Sequence, residues 1–222
     1  MRIRFLHSQL FAIVLLCVFL TANVSIAHDW WIRATPAYPE AGETVHLEIG
    51  GGHSFPDSES LLAARLLQQT SVSGADYEKE LAFSPGDQAH STSITFDKPG
   101  TYRVSFTVQR AGAGRPIMVG RTLLVVGGVD DSSEYKDGDG LEIIPLTPLL
   151  EWKDGGEIQV EVQWNGEVVP ANIRVVRDQA RTLRMRSAPD RPAAFSDWVS
   201  GPVLFIAEHR GTSATLVVMP KE

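Results

Sequence analysis

Thr44-Val45-His46-Leu47-Glu48-Ile49 alternates apolar and polar side chains without a break, and Gly50-Gly51-Gly52-His53 follows at once. A period of two is the mark of a half-buried strand. Val45, Leu47 and Ile49 face one way, and His46 and Glu48 face the other. The three glycines read as the end of that strand, a place where the backbone can bend sharply or approach another chain closely. The rest of the sequence repeats the theme: short alternating or β-branched runs split by Gly, Pro, Asn and Asp. Such a pattern predicts an all-β protein rather than a helical one.

Toward the N-terminus, residues 28–33 read as a first strand, and 35–42, with Pro36, Pro39 and Gly42, as the loop before the alternating run. Parity puts His28, Trp30 and Ile32 on one face and Asp29, Trp31 and Arg33 on the other. One tryptophan is therefore expected in the core and the other at least partly exposed. Before this strand come Arg2 and Arg4, an apolar run over 10–20, and the small residues Ser25 and Ala27 at the −3 and −1 positions of a cleavage site. This is the layout of a secretory signal peptide covering 1–27. Cleavage after Ala27 would make His28 the first residue. The single cysteine, Cys17, falls inside this leader. Leu16 precedes it, where a lipid anchor needs a small residue, so no disulfide, thiolate site or lipid anchor is expected.

Toward the C-terminus, Ser60 to Ala64 suggests one helical turn, and 65–73 and 77–83 pair around Ser73-Gly74-Ala75-Asp76. A second pair, 91–96 and 101–110, is joined by Asp97-Lys98-Pro99-Gly100. Tyr102, directly after that turn, is either a tyrosine corner of the immunoglobulin-like kind or simply a β-favouring residue. The strand 117–126 closes a first domain, 28–126. Residues 127–140 are acidic and glycine-rich and read as a linker. Within it Asp137-Gly138-Asp139-Gly140 faintly echoes a calcium loop but lacks the later Glu and the flanking helices. The second domain, 141–222, has strands at 141–146, 158–164, 167–169, 171–176, 203–209 and 214–219. Trp152-Lys153-Asp154-Gly155-Gly156 reads as a turn, and Asn165-Gly166 is a two-residue hairpin signal. Residues 177–191 carry Arg177, Arg181, Arg184, Arg186 and Arg191 without a clear period, which reads as a solvated loop or a dock for an acidic partner. The expected architecture is two immunoglobulin-like β-sandwich domains after a signal peptide.

A net charge of −7 over 222 residues, more negative once Arg2 and Arg4 are removed, argues against nucleic acid and suits a cation. No segment after the leader approaches the roughly 20 apolar residues of a membrane helix. Enzyme signatures are absent: no His-Glu-x-x-His, no Gly-x-Ser-x-Gly and no phosphate-binding glycine loop. The expectation is an exported, periplasmic or secreted protein that is not an enzyme.

Geometry supplies a candidate site. If the first two strands run antiparallel about a loop centred near Pro39, His28 falls opposite 50–53. His28 and His53 then share one end of the first sandwich. An N-terminal histidine offers its α-amine and its ring, and the His53 ring adds a third nitrogen. Such donors suit copper or nickel. Asp29 is either a carboxylate that orients a ligating histidine or a surface charge. His46 sits on the polar face of its strand, His90 in a turn, and His209, beside Glu208, at the end of a strand of the second domain.

Ala27-His28-Asp29-Trp30-Trp31, Gly52-His53-Ser54-Phe55-Pro56, Lys98-Pro99-Gly100-Thr101-Tyr102 and Leu141-Glu142-Ile143-Ile144-Pro145-Leu146-Thr147 resemble, in order and spacing, a family of secreted bacterial proteins of unknown function. That family was once grouped with NikM-type nickel/cobalt uptake components. The resemblance implies a periplasmic two-domain β protein linked to transition-metal handling. NikM-type proteins begin with Met-His and are membrane-embedded, which this chain after its leader is not. The expected function is capture or delivery of a divalent ion (nickel, cobalt or copper) held by His28 and His53, with a membrane transporter or outer-membrane receptor as the further partner. The alternative is a non-catalytic β-sandwich module binding a protein or glycan, which an exposed Trp31 would favour. A copper oxidase acting on polysaccharide ranks below both, because no flat aromatic surface is evident.

Overall fold

The computed structural model describes residues 28–74, 76–109, 116–132, 138–152, 156–177, 182–196 and 201–219. The leader, Arg181 and most of the Trp152–Gly156 turn lie outside the described residues.

Among the described residues are sixteen strands and the 3-10 turns Ala64–Leu66 and Leu149–Glu151. The first half holds β1 (Asp29–Thr35), β2 (Thr44–Gly52), β3 (Leu67–Gly74), β4 (Tyr77–Glu80), β5 (Ser84–Pro85), β6 (His90–Thr95), β7 (Gly100–Val108) and β8 (Met118–Val126). The second holds β9 (Leu141–Pro145), β10 (Ile158–Trp164), β11 (Glu167–Val168), β12 (Ala171–Arg177), β13 (Thr182–Ser187), β14 (Ala193–Phe195), β15 (Val203–His209) and β16 (Thr212–Val218). The fold is all-β, built from packed sheets.

Two small sheets lie on one large one. The order β1-β2-β6-β5 makes the first small sheet; β9, β11 and β14 pair with β10 in the second. The large sheet runs β13-β12-β15-β16-β8-β7-β3-β4 and so crosses from one half of the sequence to the other. The crossing is made by β8 and β16, which pair in parallel from Ser213↔Met118 to Val217↔Thr122. Every residue of β8 is buried. Alternation explains this. Leu124 and Val126 enter one core, with Ile32, Leu47 and Phe106. Leu123 and Val125 enter the other, with Trp152, Val160 and Phe205. Successive side chains point to opposite faces of a strand, so the two small sheets cover opposite faces of the shared sheet.

β1 wedges between these parts, and both of its tryptophans are buried: Trp30 is 5% and Trp31 1% exposed. The parity of β1 holds, but its second face is not solvated. Trp31 meets Phe55 edge-on at 5.3 Å and packs on Leu204, Ile206 and Val217 from β15 and β16. The backbone of β1 is fastened there too, since the Thr215 hydroxyl donates to the Trp30 carbonyl at 2.9 Å.

β2 also runs further than its alternation predicts. It continues through the three glycines because β1 pairs with them, Trp31↔Gly50, Trp30↔Gly51 and Asp29↔Gly52. The glycines are there for close approach. A Cβ on Gly51 would lie 2.1 Å from the Trp30 ring, and one on Gly50 2.9 Å from Ser58.

The Arg177–Arg191 stretch is not a loop throughout. Thr182–Ser187 is β13, the outer strand beside β12, with Leu183 and Met185 packed on the core and Arg184 and Arg186 exposed. The single helical turn falls at Ala64–Leu66 rather than at 60–64. Tyr102 makes the corner expected of an immunoglobulin-like fold, its hydroxyl donating to the Lys98 carbonyl at 3.0 Å.

Candidate functional site

The register Asp29↔Gly52 brings the residues just beyond it, His28 and His53, face to face at the open end of the first small sheet. Their ring centroids are 4.7 Å apart and the planes tilt by 41°. His28 also stands edge-on to Trp30, with centroids 6.2 Å apart. Trp30 lies flat across Gly51, so the indole forms a rigid wall beneath the first histidine. His53 is exposed and His28 half-buried, leaving the pair open to solvent.

The segment after His53 closes back on the end of β2. The Ser58 hydroxyl accepts from the Gly51 N–H at 3.0 Å and donates to the Gln88 carbonyl at 2.7 Å. The N–H groups of Glu59 and Ser60 both donate to the Gly51 carbonyl, at 2.8 and 3.0 Å. Glu59 Oε2 accepts from the His53 N–H at 3.0 Å. The Glu59 carboxyl is held below its ordinary range. The Ser54 hydroxyl is the largest cause and the His53 N–H the next, with the charges of the His53 and His28 rings adding to them.

The remaining candidates stand elsewhere. Asp29 gives both carboxylate oxygens to Arg174, at 2.7 and 2.8 Å, rather than to a histidine. His46 is exposed on the outer face of β2. His90 is not in a turn: it opens β6, is 2% exposed, and its Nε2 lies 2.7 Å from the Leu62 carbonyl. His209 meets the Trp164 ring at 5.6 Å. Along β15 it alternates with Glu208, so it points to the face opposite Arg174 and away from His28. Of the calcium-like echo, Asp137 lies outside the described residues, and the Gly138 N–H donates to Glu142 Oε2 at 3.1 Å.

The structure thus brings together the two histidines named from the sequence and adds Glu59, which no motif had marked. Among the described residues no three His, Cys, Asp or Glu side chains converge as a metal cage. The donors available to an ion are two imidazoles, with a third nitrogen only if the His28 α-amine is freed. Imidazole nitrogens are donors that several divalent transition metals accept.

A model of the domain of unknown function DUF4198 matches residues 25–212. The chain belongs to the DUF4198 family. The match spans both halves of this DUF4198 protein, from just before β1 to the start of β16. No protein among those of curated function matches it. Solved structures similar to the DUF4198 chain include Salmonella alpha-2-macroglobulin reacted with methylamine, at 12% identity and a TM-score of 0.33, covering 90% of this chain and 15% of that one. The DUF4198 chain therefore spans well under a quarter of that relative's length. The D0-D1 domain of intimin is similar at 12% identity and a TM-score of 0.28, covering 86% and 97%. The Ig1–Ig3 ectodomain of mouse nectin-like molecule 4 is similar at 16% identity and 0.24, covering 86% and 62%. No helix among the described residues of the DUF4198 protein is long and apolar enough to cross a membrane.

Proposed function

We propose that this protein, exported and cut after Ala27, is a periplasmic divalent transition-metal binding protein that captures or delivers nickel, cobalt or copper. The observation that carries the reading is the 4.7 Å approach of the His28 and His53 rings, set by the β1–β2 register. In the uncut chain the His28 backbone nitrogen is an amide, a poor donor while it keeps its proton. Cleavage turns it into an amine, a group that can give up its proton near neutral pH and close a chelate ring with its own imidazole. The site would then offer three nitrogens and remain open on its outer side, as suits an ion that is cargo. The protein is not an enzyme in this reading, and a membrane transporter or an outer-membrane receptor is the partner that would receive the ion. The docking alternative draws no support from Trp31, which is 1% exposed.

Intact-mass spectrometry of the exported protein, with and without added copper or nickel, tests this. The expected result is a chain beginning at His28 that takes up one ion, with binding weakened by His53→Ala. A chain beginning at another residue, or equal binding by wild type and His53→Ala, overturns it.

A further inference from the structure

Nothing in the run Asp57-Ser58-Glu59-Ser60 marks Glu59, yet four contacts bring it to the histidine pair. Its own N–H and that of Ser60 are tied to the Gly51 carbonyl, and its Oε2 receives the His53 N–H. The fourth is steric. A Cβ on Gly52 would lie 2.8 Å from Glu59 Oε2, and Gly52 has φ +150°, so a residue with a side chain would force the carboxylate off the strand. Asp29, the carboxylate next to His28 in sequence, is committed to Arg174.

Charge completes the argument, which rests on the metal reading above. An amine and two imidazoles are neutral donors and leave the charge of a bound ion uncompensated. We propose that Glu59 is the positioning and charge-balancing residue of the His28–His53 site, holding His53 by its backbone and selecting a divalent ion over a monovalent one. A fixed negative charge attracts a doubly charged ion twice as strongly as a singly charged one at the same distance.

The test uses the protein beginning at His28, as wild type, Glu59→Gln and Glu59→Asp. Cu(II) and Ag(I), a redox-inert monovalent ion, are titrated against a competing chelator at fixed pH and ionic strength. The Gln oxygen can still accept from the His53 N–H, so Glu59→Gln isolates the charge. Glu59→Gln should weaken Cu(II) binding about tenfold, the lower end of what neighbouring carboxylates contribute. Ag(I) binding should weaken only about threefold, the square root of that factor. Glu59→Asp should recover most of the Cu(II) affinity. Equal Cu(II) affinity in wild type and Glu59→Gln, or equal losses for the two ions, overturns the role of Glu59 while leaving the metal site standing. A wild type that binds neither ion overturns both.

Discussion

Asp29 and Arg174, 145 residues apart in the chain, join the two halves through paired hydrogen bonds of 2.7 and 2.8 Å. The geometry is the bidentate one in which a planar guanidinium meets a carboxylate. Both side chains keep some solvent contact, 36% for Arg174 and 20% for Asp29, so screening limits their worth. A double-mutant cycle of Asp29→Asn and Arg174→Gln, read by urea unfolding, should give a coupling of about 1 kcal/mol that shrinks as salt is raised.

The buried carboxylate of Glu142 is a different case. Its side chain is 1% exposed and stands 3.4 Å from both Arg103 and Arg121, which are themselves 8% exposed. Glu142→Ala would take away the buried carboxylate that Arg103 and Arg121 share. The expected loss is about 3–5 kcal/mol, measured by chemical unfolding, against a small effect for an exposed carboxylate such as Glu78.

Gly51→Ala tests the close approach beneath the histidine pair. The new methyl would meet the Trp30 ring at 2.1 Å, and the ring is held by the core on its other side. Overpacking of this kind costs about 1–3 kcal/mol. A lowered unfolding midpoint and a changed near-ultraviolet tryptophan signal are expected together.

Tyr38 gives the protein a high-pH limit. Burial pushes its phenol well above the usual range, and the charge of Asp130 adds to the shift. Its hydroxyl donates to the Met219 carbonyl at 2.7 Å. Because the folded state holds the proton more tightly than the unfolded one, this contribution is complete below about pH 10 and is lost as pH rises beyond it. Tyr38→Phe should flatten that alkaline decline in unfolding experiments while costing about 1 kcal/mol at neutral pH for the lost hydrogen bond.

The strand alternation of residues 44–49 and a loop centred near Pro39 were enough to oppose His28 to 50–53, because both are local properties of one hairpin. The corner made by Tyr102 was legible for the same reason. The burial of Trp31 was not, since its partners Leu204, Ile206 and Val217 come from the far end of the chain. β13 was hidden by its arginines, although Leu183 and Met185 carry the alternation that marks it. Glu59 stood outside any motif. Only the folding of its loop onto the Gly51 carbonyl, a backbone contact with no sequence signal, brings it to the site. The parallel pairing of β8 with β16 was equally invisible, because nothing in two apolar strands far apart in sequence says that they are neighbours.

That parallel seam has a practical consequence. A gene split within 127–140 would yield two fragments, each ending in a raw backbone edge and each missing the cover for one side of a sheet. Neither piece should persist as a monomer on its own, but the two together should find each other and reassemble. The protein is thus a natural starting point for fragment complementation, with the joining strands already supplied by the fold.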